Sequence, residues 1–140
     1  ARAAKHAIVD LLDAVLPPLP DGVTIVPVPT IPPHIRQRGY DHMALVARGF
    51  ARRRQLSYRA AIQRASNTIQ HGTTRATRLR QAKQAFECGD VPPGIYLLVD
   101  DVYTTSATVR YAADVLLRAG ATEVWIAVVS RQPFSRTANV

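Results

Sequence analysis

The stretch Tyr96-Leu97-Leu98-Val99-Asp100-Asp101 constrains this chain more than any other. An apolar run without polar alternation suits a strand covered on both faces, as in a parallel sheet. Two adjacent carboxylates then close the run. Neighbouring acids repel each other and add nothing to a core, so they belong at the strand's carboxyl edge, where open α/β sheets keep their ligands. Val102-Tyr103-Thr104-Thr105-Ser106-Ala107-Thr108 follows as a short loop of hydroxyl-bearing and small residues, and helical periodicity resumes after it. Such a loop offers hydroxyls and free backbone N–H groups at a helix N-terminus, where a phosphate is stabilised. The acids suit a diol or a cation. A ligand carrying a sugar diol beside a phosphate, with a metal, fits both halves.

The remaining pattern alternates helices and strands. Residues 3–16 place Ile8, Leu11, Leu12 and Val15 at helical spacing, and Pro17-Pro18 ends the helix. Val23 to Val28 is a short β-branched strand, and Pro29, Pro32 and Pro33 impose an irregular loop after it. A second helix is predicted from about Tyr40 to Arg54, with Met43, Ala44, Ala47 and Phe50 as its apolar stripe, and a short extended piece around 57–62. Residues 63–84 are polar and rich in Arg, Thr and Gln, the composition of a functional loop. The strand 95–100, the loop 101–105 and a helix at 106–119 capped by Gly120 come next. The last strand, Glu123 to Ser130, is apolar almost throughout and is expected to be buried on both faces. The order predicts an α/β fold with a mainly parallel twisted sheet flanked by helices. It divides into an N-terminal helix and linker (1–22), a core (23–131) and a tail (132–140).

With 140 residues, 47% of them hydrophobic, the chain can build one substantial core. No apolar run is long enough to cross a bilayer and no signal-peptide pattern opens the sequence, so a cytoplasmic protein without membrane insertion is expected. The first residue is Ala, not Met, which leaves room for an upstream segment. Cys88 is the single cysteine, which excludes an intrachain disulfide. The net charge is +8 and nearly all the cations are Arg, a residue that binds phosphate in fork geometry. Phosphorylated small molecules and nucleic acids both suit such a surface, and a GC-rich genome accounts equally well for scattered arginines.

The run Val99-Asp100-Asp101-Val102-Tyr103-Thr104-Thr105-Ser106-Ala107-Thr108 resembles the phosphoribosyl-pyrophosphate (PRPP) signature of the type I phosphoribosyltransferases. Pro27-Val28-Pro29, the segment Arg36-Gln37-Arg38-Gly39-Tyr40-Asp41-His42, and Arg64, Gln70, Arg78 and Ala85-Phe86 occur in the order seen in the ComF family. ComF proteins are phosphoribosyltransferase-like and are associated with DNA uptake. The resemblance spans roughly residues 23–131. It implies the type I phosphoribosyltransferase fold, PRPP as ligand and Mg2+ as cofactor. Asp100 and Asp101 would hold the ribose, directly or through metal-bound water. Thr104, Thr105, Ser106, Ala107 and Thr108 would cradle the 5-phosphate. Arg38 would face the pyrophosphate, with Arg75 and Arg78 as contacts from a flexible loop. A homodimer and the DNA-uptake machinery are the implied partners. The chain departs from the family at Ser106, where Gly is usual, at Asp41-His42, and at Gln81 and Gln84. Thr104 replaces the acid that purine-salvage relatives use on the base, which argues against 6-oxopurine acceptors.

Plainer readings stand beside these. Asp and Ser/Thr before a helix are ordinary caps. Arg38, Arg75, Arg78 and Arg80 can be solvated surface charges. Arg52-Arg53-Arg54 complements a helix dipole. His42 and the other histidines are expected to face solvent, and Cys88 to be inert. Three functions therefore remain open: a magnesium-dependent transferase, a non-catalytic PRPP or nucleotide sensor, and an adaptor in DNA uptake.

Overall fold

A computed structural model of the chain describes residues 2–29, 42–64, 86–101 and 106–129. Helix α1 (Arg2–Val15) leads to strand β1 (Thr24–Pro27), and helix α2 (His42–Arg54) leads to the two-residue strand β2 (Ser57–Tyr58). Strands β3 (Ile62–Arg64) and β4 (Phe86–Cys88) follow, then β5 (Ile95–Asp101), helix α3 (Ser106–Arg118) and β6 (Glu123–Val129). The main sheet has the order β2-β1-β5-β6 and every pairing in it is parallel. Strands β3 and β4 form a separate antiparallel pair, with Arg64 opposite Phe86.

Strand order reverses between β1 and β5. From β1 the chain runs through α2 outward to β2, and from β5 through α3 outward to β6 on the other side. Their carboxyl ends therefore diverge and leave a crevice, the usual ligand position in open α/β sheets.

The core has two layers because successive strand residues point to opposite faces. Leu97 and Val99 of β5 pack with Ile25 of β1, Val46, Ala47 and Phe50 of α2, and Val9 and Leu12 of α1. Tyr96 and Leu98 pack on the opposite face with Val26, Ala112 and Leu116, and with Ile62 and Phe86 of the β3–β4 pair. Leu98 and Val99 are completely buried, each burial contributing about 1.5–3 kcal/mol. Gly120 ends α3 with φ of +131°. There the N–H of Gly120 donates to the Leu117 carbonyl (3.2 Å) and that of Ala121 to the Leu116 carbonyl (3.2 Å).

Three expectations need correction. β6 is not buried on both faces: Ile126 and Val128 are 45% and 49% exposed, whereas Ala127 and Val129 are buried. The strand is the last in the sheet, and the layer around α3 reaches Val124 but not the two residues further along. In α1, Val9 and Leu12 carry the buried stripe, while Leu11 and Val15 face out, because the helix is packed on one side only, against α2. His42 is not solvent-facing: it is 1% exposed in the first turn of α2.

The arginines closing α2 do more than complement its dipole. Arg53 pairs with Asp10 and Asp13 of α1, and Arg54 pairs with Asp13. Arg54 also donates to the carbonyls of Asp13 (3.1 Å), Leu16 (2.8 Å) and Pro17 (3.1 Å), capping the end of α1. No helix among the described residues is long and apolar enough to cross a membrane.

Candidate ligand site at the carboxyl edge of the sheet

The register of the two central strands sets up the site. Pro27 lies opposite Val99, and the Val28 N–H donates to the Val99 carbonyl at 3.0 Å. The chain leaving β1 and the acids ending β5 thus start from one edge. Asp100, opposite Val128, is 2% exposed, and Asp101, opposite Val129, is the last residue of the strand. Helix α3 opens at Ser106, so strand, short loop and helix follow in the predicted order. The backbones of Ser106 and Ala107 form its first turn, whose N–H groups have no acceptor within the helix and whose dipole favours an anion. Thr108 is half-buried in the same turn. The fold therefore brings Asp100, Asp101, Ser106, Ala107 and Thr108 to one edge. Arg38, Thr104, Thr105, Arg75 and Arg78 lie outside the described residues, as does Arg80.

The structure adds Arg64, which no local pattern singled out as a site residue. Arg64 ends β3, and its Cζ sits 5.1 Å from the centroid of the Phe86 ring across the antiparallel pair. Its Nε is buried and has no hydrogen-bond partner. Burial pushes the guanidinium below its ordinary value, and the negative charge of Asp100 partly restores it. The two charges act through space, with no ion pair joining them. The signal is invisible along the sequence because it arises from the pairing of two strands separated by residues 65–85.

A cavity of about 640 Å³ opens at the opposite edge, beside Gly22 before β1, lined by Leu16, Leu19, Leu56, Asp21 and Arg54. It has no connection with the acids of β5.

Among the described residues no three potential metal ligands cluster. A buried carboxylate followed directly by a second one at a strand end fits magnesium nonetheless. That ion is usually held by one or two carboxylates, ligand phosphates and retained water.

No family model and no curated protein matches this chain. A solved structure described as the allosteric regulatory enzyme of purine biosynthesis does, with a TM-score of 0.59 over 90% of this chain at 19% identity. The fold is that of the type I phosphoribosyltransferases. The phosphoribosyltransferase fold expected from the acid-pair run is therefore present, with its parallel sheet and flanking helices. The chain spans a quarter of the length of that enzyme, and at this identity the likeness concerns the fold alone. It does not reach the narrower ComF resemblance.

Proposed function

We propose that this chain binds PRPP with magnesium in the crevice between β1 and β5 and transfers the phosphoribosyl group to a nitrogen acceptor, as a ComF-like phosphoribosyltransferase. The observation that carries this reading is Asp100. A carboxylate 2% exposed at the end of a central strand, beside the point where strand order reverses, is costly unless a ligand or partner uses it.

In this reading Asp100 and Asp101 accept hydrogen bonds from the two ribose hydroxyls and fix the sugar. The loop and first turn at Thr104, Thr105, Ser106, Ala107 and Thr108 hold the 5-phosphate. Arg38, with Arg75 and Arg78, faces the pyrophosphate. Magnesium, held through Asp100, Asp101 and the diphosphate, would supply neutralisation of the leaving group's charge. The acceptor nitrogen forms the new bond to C1 as the C1–O bond breaks. Pyrophosphate departs with the bonding pair, and the acceptor gives up its proton. Holding the sugar still and stabilising charge as it develops are the contributions a protein makes to such a step.

One observation favours a second reading, a PRPP-sensing module without turnover. Ser106 stands in the first turn of α3, where the family usually has Gly. A side chain there limits how closely the backbone approaches a phosphate. A homodimer fits either reading, since Leu11 and Val15 of α1 are 50% and 66% exposed. So does a role in DNA uptake in the cytoplasm, given the net charge of +8.

Calorimetry with PRPP and magnesium tests the binding claim. Saturable binding that disappears in the double variant Asp100→Asn, Asp101→Asn supports it, and identical behaviour of the two proteins refutes it. Pyrophosphate release across a panel of bases and amines then separates transferase from sensor.

A further inference from the structure

We infer that Arg64 recognises the diphosphate of the ligand proposed above, donating to a phosphoryl oxygen on the leaving-group side of the ribose. The inference rests on the PRPP reading of the site and adds to it a residue on a different structural unit, the β3–β4 pair. Arg64 combines a buried, partnerless Nε–H with a charge that no carboxylate touches. Leaving a buried donor unmade is destabilising, and keeping a half-buried cation without a contacting acid adds to that cost. A purely structural arginine would close on Asp100. This one is drawn by Asp100 only through space.

Stacking on Phe86 holds the guanidinium in place, 5.1 Å from the ring centroid, and so orients the fork before a ligand arrives. What fits between a fixed guanidinium and a buried carboxylate is a ligand with hydroxyl donors on one side and oxyanion acceptors on the other. PRPP has two oxyanion ends. The first turn of α3 suits one, and Arg64, carried by a separate pair of strands, suits the other. Arginine is the appropriate residue because its planar fork matches phosphoryl oxygens, whereas lysine offers a point charge.

The test uses the full chain with magnesium and three probes measured by calorimetry: PRPP, inorganic pyrophosphate and ribose 5-phosphate. In Arg64→Gln, affinity for PRPP and pyrophosphate should fall by about tenfold or more, the scale of a lost charge-assisted pair. Affinity for ribose 5-phosphate, which lacks the diphosphate, should stay within about twofold. Arg64→Lys should recover only part of the loss, because it restores charge without the fork. Arg52→Gln, on the exposed side of α2, should leave all three unchanged. Equal losses for all three probes would mark a structural role and overturn the inference, as would PRPP and pyrophosphate affinities unaffected by Arg64→Gln. If wild type ignores PRPP and ribose 5-phosphate but binds pyrophosphate through Arg64, the phosphoribosyl reading fails and the assignment of Arg64 to a diphosphate stands. If wild type binds PRPP without help from Arg64, the reverse holds. If it binds none of the probes, both fail.

Discussion

The backbone N–H of Val28 donates to the carbonyl of Val99 at 3.0 Å, and it is the only N–H that the Pro27-Val28-Pro29 stretch possesses. Proline carries no amide hydrogen, so this single bond fastens the exit of β1 to the residue before the acid pair. In hydrogen exchange the Val28 amide should therefore be as protected as the amides of the core strands, opening only with global unfolding. Exchange as fast as that of the exposed Asp21 amide would show that the two strand ends are not tied. Val28→Thr, which buries a hydroxyl at a completely enclosed position, should cost about 1–3 kcal/mol in urea denaturation.

Gly120 approaches Val91 so closely that a Cβ at Gly120 would lie 2.5 Å from the Val91 carbonyl oxygen, in a backbone conformation with φ of +131°. Gly120→Ala combines that overlap with a left-handed strain. It should destabilise the fold by about 1–3 kcal/mol or slightly more. Chemical denaturation checks this, with a lowered midpoint and an unchanged slope expected.

Arg54 joins the two helices of one layer, reaching the Asp13 carboxylate and three carbonyls at the end of α1. Its side chain is only 18% exposed. Arg54→Met should cost about 1–3 kcal/mol, because it leaves those acceptors without a donor. Arg53→Met should change little, since its ion pairs are open to solvent.

The Arg54 guanidinium, with Arg53, holds the Asp13 carboxyl below its ordinary range. As pH falls, the unfolded chain protonates at this position first, near a pKa of about 3.9. The stabilisation is therefore complete above that value and is lost as pH drops through the lower value of the folded state. Asp13→Asn should reduce stability at neutral pH and flatten that part of the acid limb. An acid limb identical to wild type would remove Asp13 from the account.

Burial pushes the Cys88 thiol up, and its S–H lies 3.3 Å from the Gly89 carbonyl as a donor. Alkylation near pH 8 should accordingly run several-fold slower than for free cysteine, since only the thiolate reacts. A rate equal to that of a model thiol would contradict this.

Much of the fold was legible because it depends on local pattern. The apolar run before Asp100, the hydroxyl-rich loop and the Gly120 cap fix β5, α3 and their junction within a residue or two. What was not legible depends on position in the assembled molecule. The composition of β6 could not reveal that it ends the sheet and leaves Ile126 and Val128 half in water. Helical spacing identified α1 but not which side of it meets α2, so Leu11 and Val15 were assigned to the wrong face. The candidate site divides the same way. Asp100 and Asp101 announce themselves by adjacency at a strand end. Arg64 becomes a site residue only when β3 and β4 pair and set it over Phe86, within the field of Asp100.

The central claim is that the carboxyl edge of β5 holds a phosphoribosyl ligand, and a crystal structure of the chain with PRPP and magnesium tests it most directly. The expected result is a ribose whose hydroxyls contact Asp100 and Asp101, with the 5-phosphate against the first turn of α3. Ligand bound elsewhere, or no ligand at saturating concentration with those carboxylates engaged only by protein groups, would contradict the account.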